Sequence, residues 1–376
     1  MSQQMKRSNL GATAAALAGA VGMTLFAGCS LGSGKRSSRM LDQPASQNAS
    51  RPRSQPSSSS SASKLPPLST TEKAALREKA LALLVTMAQN GTPEERANAL
   101  EALVQTPQRL ASVAESGLTD QNLGVRAVAA MAVGKARLAT LAPRVRPLLQ
   151  DESPFVRAAA MFALKRFGAS VDISPLAGML FDSSARVRAQ AAYVLGEMGD
   201  KSAVPLLREA HKSLSARANP TEVRLSDLQL AEARVKLGDD SALADVRSAL
   251  FPAKEEDLEA AVLAVQIIGQ IKDAVSVNRL IELTAQKEPG GQELPGELRM
   301  AAASALARMG QPHGTYIAQE YFQGEKESLR AQAASLLGDI QRPENLQIVS
   351  RLMEDPDGRV RIAAAAAVVK ITDRGE

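Results

Sequence analysis

The sequence predicts an all-α chain of stacked helix pairs, an α-solenoid, and three observations carry that prediction. Asp120-x5-Arg126, Asp151-x5-Arg157, Asp182-x5-Arg188 and Asp355-x5-Arg361 recur with a Val before each Arg, the first three at intervals of 31 residues. A period near thirty is the signature of a repeat array. Each Arg opens an alanine-dense stretch with helical spacing, as from Val187 to Gly199. Aromatic residues make up only 3% of the chain and Trp is absent, which suits closely packed helices and disfavours an aromatic-rich sandwich.

The array does not begin at the first residue. Residues 5–29 run from a basic pair, Lys6-Arg7, through an apolar stretch from Leu10 to Ala27, to the single cysteine, Cys29. That order is the order of a secretory signal, assigned to residues 1–28. The ending Leu25-Phe26-Ala27-Gly28-Cys29 resembles the lipobox of bacterial lipoproteins, with Phe26 where an aliphatic residue is usual. The resemblance implies that Cys29 is acylated and becomes the first residue of the mature chain. Ser30 after it resembles the lipoproteins sent to the outer membrane, so the expected location is the periplasmic side of that membrane.

Residues 29–69 are rich in Ser, Pro, Gln and Arg and hold five consecutive serines, Ser57 to Ser61. Too few large apolar side chains are present to offset the entropy of ordering, so the segment is expected to be a disordered tether. As a flexible coil it would span about 35 Å. The tether and signal also carry the positive charge. The whole chain is +5, whereas residues 65–376 come to −2, which argues against a basic stripe for nucleic acid.

From residue 70 to 376 the repeats follow. A first helix is expected over Thr71–Gln89, with Glu72, Lys73, Arg77, Glu78 and Lys79 forming a polar cap at the end of the stack. Aligning units on their Leu-Gly and terminal Gly places equivalent residues at Arg96, Arg126, Arg157, Arg188, Asp227, Ala261, Arg299, Arg330 and Arg361, which predicts nine helix pairs. Pro147, Pro175 and Pro205 fall in first helices. Each pair hides its apolar stripe only against its neighbours. At a helix spacing of about 8–10 Å, nine pairs make a curved rod on the order of 80 Å long.

These motifs resemble the HEAT repeats, in the short form found in phycobilin-lyase-type proteins. The resemblance implies a curved superhelix with second helices on the concave face. It also implies a polar ladder of turn Asp and second-helix Arg, here Asp120, Arg126, Asp151, Arg157, Asp182, Arg188, Asp355 and Arg361. Asp227 and Ala261 at the Arg position predict an interruption in units 5 and 6. Two insertions, Lys212 to Arg224 and Gln286 to Gly296, lengthen the loops inside units 5 and 7.

Five residues beyond the Arg position stand Met131, Phe162 and Tyr193 in three successive units, with Lys135, Arg166 and Glu197 one turn further on. Aromatics flanked by charge suit a binding ridge for a protein partner, while large groups among alanines equally suit gap filling. Catalytic chemistry finds little material. One Cys and two His exclude a disulfide framework and a Cys-rich zinc site. His211 and His313 sit in no metal-binding motif, including the His-Glu pairs of the di-iron hydroxylase built from HEAT repeats, so no metal, cofactor or catalytic residue is assigned. The expected function is that of a lipid-anchored, non-enzymatic adaptor for another envelope protein, with no small-molecule substrate. The alternatives are an accessory or lyase-like chaperone acting on an exported substrate, and a structural spacer.

Overall fold

The computed structural model describes residues 68–212, 219–252, 257–287, 291, 294–311 and 313–373. The signal segment, Cys29 and the tether up to Pro67 lie outside the described residues, as do the centres of both insertions. Among the described residues there are eighteen α-helices, several short 3-10 turns and no β-strand.

Unit 1 pairs α1 (Thr70–Asn90) with α2 (Pro93–Ala102), unit 2 α3 (Pro107–Leu118) with α4 (Leu123–Lys135), and unit 3 α5 (Ala142–Val145) with α6 (Pro154–Arg166). Unit 4 pairs α7 (Pro175–Met179) with α8 (Ala185–Met198), unit 5 α9 (Val204–Lys212) with α10 (Pro220–Lys236), and unit 6 α11 (Leu243–Ser248) with α12 (Leu258–Ile271). Unit 7 pairs α13 (Val277–Leu283) with α14 (Gly296–Arg308), unit 8 α15 (Thr315–Tyr321) with α16 (Glu327–Ile340), and unit 9 α17 (Leu346–Leu352) with α18 (Gly358–Asp373). The expected nine pairs are present.

Local chemistry explains where helices start and stop. Ser69 and Thr92 each cap a helix reciprocally with Glu72 and Glu95, and Pro93, Pro107, Pro154, Pro175 and Pro220 occupy first turns, where a missing N–H costs nothing. Gly199, at φ 77°, closes α8 in the left-handed region.

The even-numbered helices pack on one another in order and form an inner layer, with the odd-numbered helices outside them. Gly134, Gly196, Gly269 and Gly338 stand eight residues past the Arg position of units 2, 4, 6 and 8. A Cβ on them would meet the Cα of Ala163, Ala233, Ala305 and Ala367 on the next inner helix at 2.8, 2.9, 2.8 and 2.8 Å. Units 2 and 3, 4 and 5, 6 and 7, and 8 and 9 are therefore pressed together by backbone-to-backbone approach.

The stack does not end as an open rod. α18 lies against α1 and α2, and the core that holds Leu81, Leu84 and Leu100 also holds Val360, Val368 and Ile371. Arg77 pairs with Asp373 at 2.5 Å and Lys79 with Glu354 at 3.0 Å across this junction. Gly358 sits under the side-chain tips of Glu95 and Met87, across the same junction. The solenoid is closed into a ring, and the expected polar cap is instead half of the closing junction. The charges on α1 concealed an apolar stripe of Ala80, Leu81, Leu84 and Ala88, which α18 helps to cover. A second, smaller apolar core runs through units 5 to 7, from Leu228 on α10 to Leu306 on α14.

Candidate functional site

The residues of the expected ridge stand on the inner helices α4, α6 and α8. Met131, Phe162 and Tyr193 are not exposed there: their accessibilities are 3, 1 and 3%. The expectation of an open aromatic ridge is corrected. Phe162 presses on the face of Gly134, whose missing side chain makes the space for it. The large groups fill gaps between the alanines of neighbouring inner helices.

One turn further along, the expected Lys135 and Glu197 join other residues in a belt of charges. Lys135 lies 3.9 Å from Glu101, and Lys236 makes 2.6 Å ion pairs with both Glu197 and Glu232. On the far side of the ring Asp339 receives Arg308 at 3.0 Å and Lys370 at 2.9 Å. Burial raises the Glu101 carboxyl above its usual range against the pull of Lys135 on α4 and Lys370 on α18, so this level also crosses the closing junction. Arg166 occupies the same level, with its Nε buried and without a hydrogen-bond partner.

Tyr193 stands between two cations. The ammoniums of Lys135 and Lys236 lie 5.6 and 5.5 Å from its ring centre, a cation–π arrangement. Burial pushes the Tyr193 hydroxyl up to about 12, opposed by Lys135. Burial would lower Lys135, but Tyr193, Glu101 and Glu197 outweigh it and hold that ammonium charged. The cluster is nearly charge-balanced and neutralises itself. Counting nine residues from each Arg position would have found Lys236, Arg308, Asp339 and Lys370. The aromatic residues drew attention to units 2 to 4 alone.

A recess on the inner side of units 6 to 8, lined by Gln266, Met300, Ser304, Arg308, Gln332 and Ser335, encloses about 20 Å³. That is the space of a water molecule. Among the described residues no group of His, Cys, Asp or Glu is arranged to hold a metal ion, and no helix is long and apolar enough to cross a membrane.

The polar ladder is built in part. Arg126 donates Nε and Nη2 to Asp151 at 2.8 and 3.1 Å, and Arg330 does the same to Asp355 at 2.8 and 2.9 Å. Arg96 forks Asp120 at 2.7 and 2.8 Å. Each fork thus joins an inner helix to the turn of the next unit, while Nη1 binds carbonyls of its own turn, as Arg126 does at Asp120 O, 2.9 Å away. Arg157, Arg188 and Arg361 make only the second kind of bond, to the carbonyls of Asp151, Asp182 and Asp355. No fork joins Arg157 to Asp182 among the described residues, so the lapse starts two units before Asp227. The Nε and Nη2 of Arg188 are buried without partners.

Other pairs take over where the forks lapse. Asp239 accepts from Arg208 at 2.9 Å and from Arg234 at 2.8 Å, and Asp273 accepts from Arg247 at 2.7 Å. The Arg208 fork, with Ser241 and Arg234, holds the Asp239 carboxyl far below the usual range in spite of burial.

Large apolar side chains do reach solvent, but on the outer layer and its rims. Phe251, Val275 and Ile281 are 60, 74 and 42% exposed, and all three belong to units 6 and 7. The Arg279 guanidinium lies 4.4 Å from the Phe251 ring centre. Phe181 and Tyr316 are exposed on units 4 and 8.

Residues 108–183 and 316–376 match the family model of HEAT repeats, and residues 187–210 match that of the PBS lyase HEAT-like repeat. Among solved structures, the chain is similar to the complex of CpcE and CpcF of phycocyanin lyase from Nostoc, with 20% identity over 70% of this chain and 94% of that one and a TM-score of 0.35. It is also similar to human deoxyhypusine hydroxylase in complex with glycerol, with 15% identity over 81% and 98% and a TM-score of 0.35. An engineered protein aligns with 18% identity over 81% and 96% and a TM-score of 0.32. No curated protein matches the chain.

Proposed function

We propose that this chain, which matches HEAT-repeat family models over residues 108–183, 187–210 and 316–376, acts as a non-enzymatic adaptor, held on a bacterial envelope membrane by acylated Cys29 and docking another envelope protein on its repeats. The exposure of Phe251, Val275 and Ile281 on the outer layer of units 6 and 7 carries this reading. Large apolar groups flanked by charge are what protein contacts use, and here Arg279 already lies over one of them. The inner lining is filled by its own side chains, so docking moves to the outside of the ring.

Crosslinking in intact cells followed by mass spectrometry tests the adaptor. A Phe251→Ser, Ile281→Ser double variant that keeps its helical signal should lose a crosslinked partner that wild type retains. If every partner survives, the outer surface is not the docking site. The anchor is tested apart from it: Cys29→Ser should leave the membrane fraction, and mass analysis of native protein should find acyl chains on Cys29. Two or more chains are needed for a firm hold, since each buried methylene adds about 0.8 kcal/mol.

A second reading rests on the match of residues 187–210 to the PBS lyase HEAT-like repeat. In that reading the chain is an accessory or lyase-like chaperone subunit for an exported substrate. Co-purification of a chromophore or other small ligand with native protein would favour it over the adaptor.

A further inference from the structure

At the joint between units 5 and 6 the ladder position holds no arginine; Arg224, one turn earlier on α10, pairs with Asp257 at the start of α12, and a histidine stands beside the ladder position. In units 1, 2, 7 and 8 a guanidinium at the ladder position of the inner helix links successive units. The equivalent residues of units 5 and 6 are Asp227 and Ala261, and what stands nearest Asp227 is His211, at the end of α9. Its Nδ1 lies 3.6 Å from Asp227 Oδ1 on α10, and its Nε2 lies 4.0 Å from Asp245 Oδ2 on α11, which belongs to the next unit.

Both ring nitrogens therefore lie within ion-pair reach of carboxylates but outside hydrogen-bond distance, and Nδ1 and Asp227 Oδ1 are buried without a hydrogen-bond partner. A neutral imidazole carries one N–H and turns a lone pair on the other side, whereas the imidazolium offers an N–H to each. Histidine is also the side chain whose ordinary charge change falls between pH 5 and 8. We propose that His211 is a proton-operated latch: its protonated ring bridges Asp227 and Asp245 and holds α9, α10 and α11 together, and loss of the proton loosens the joint between units 5 and 6.

The surroundings agree with a latch at this place. The joint lies where the main core, which holds Leu207 and Ala210 of α9, meets the small apolar core of units 5 to 7, beside the insertion that follows Lys212. Arg188 on α8 favours ionised Asp227 and Asp245 opposes it, while Arg208 on α9 and Arg224 on α10 are engaged by Asp239 and Asp257. Burial raises the Asp227 carboxyl against the pull of His211 and Arg188, so the latch has an acid limit as well. It is closed while Asp227 is ionised and His211 is charged, and it opens above that window as the ring loses its proton. The proposal concerns the ring itself and does not rest on the adaptor reading.

Hydrogen exchange on the full chain at pH 5.5, 6.5 and 7.5, corrected for intrinsic rates, tests it. In wild type the amides of α9 to α11 should be about two- to fivefold better protected at pH 6.5 than at 7.5, the scale of a partly exposed ion pair. Those of α4 and α6, joined by the Arg126–Asp151 fork, should not change. His211→Gln should abolish the difference in α9 to α11. A flat response in wild type, or an unchanged response in His211→Gln, overturns the latch. Should His211→Gln fail to fold, Asp245→Asn is the second variant. Its side chain is 50% exposed, and it should reduce the response by removing one of the two carboxylates. An unaltered response there overturns the proposal equally.

Discussion

At the scale of single residues, the alanines of the inner helices decide the roles of their larger neighbours. Phe162 is fully buried against Gly134, so Phe162→Ala removes a ring from a space that rigid helix backbones cannot refill. The expected loss is about 3–5 kcal/mol in urea unfolding. A loss below about 1 kcal/mol would mean that the ring faces solvent. Gly338 makes the converse case, since a side chain there meets the Cα of Ala367 rather than a movable tip. Gly338→Val should cost about 1–3 kcal/mol or more by overpacking. The sequence shows such residues and their register, but not their burial. Position five past the Arg holds a buried Phe162 in one unit and a half-buried Ser335 in another.

At the scale of elements, the Asp-x5-Arg spacing was legible and its partners were not. Spacing places each Arg near the Asp of its own turn, yet the side-chain fork reaches the Asp of the next unit, as from Arg126 to Asp151. Where α10 starts early at Pro220 and Asp227 stands in the Arg position, no such fork forms from Arg188. The contrast predicts unequal losses. Arg126→Met strands Asp151 in a nearly buried site and should cost about 3 kcal/mol. Arg157→Met, with no fork to break, should cost about 1 kcal/mol in the same unfolding assay. Equal losses would refute the forks as links between units.

Acid should act through the same elements. Burial alone would raise Asp151 and Asp355, but the Arg126 and Arg330 forks outweigh it and lower both, and the Arg208 fork lowers Asp239 further. A carboxyl lowered by folding contributes stability that is fully present above its unfolded pKa of about 3.9 and is lost as pH falls through the folded value. Asp239→Asn should therefore melt below wild type at pH 7, and the gap should narrow as pH falls below about 4. A constant gap across that range would show that Asp239 contributes through packing instead of charge.

At the scale of the whole molecule, the number of units was readable because it depends on a period, and closure was not, because it depends on the angle between units. That angle is set where backbones touch, at Gly134, Gly196, Gly269 and Gly338, and small changes there accumulate over nine steps. An open rod on the order of 80 Å would hold its ends far apart. The ring instead sets Arg77 beside Asp373, 296 positions later in the chain. Cysteines at these two sites, in a Cys29→Ser background that removes the only native thiol, discriminate between the two shapes. A short bismaleimide should join them within one chain, giving a compact species on denaturing gels whose yield does not fall on dilution. An open solenoid would give only dimers, and only at high concentration. The intramolecular link should also delay unfolding without altering the circular dichroism of the native state. It constrains the unfolded chain across almost the whole repeat region, whereas the folded ring already holds those ends together. Dimers alone, or a link that distorts the native spectrum, would show that α18 does not rest on α1 in solution.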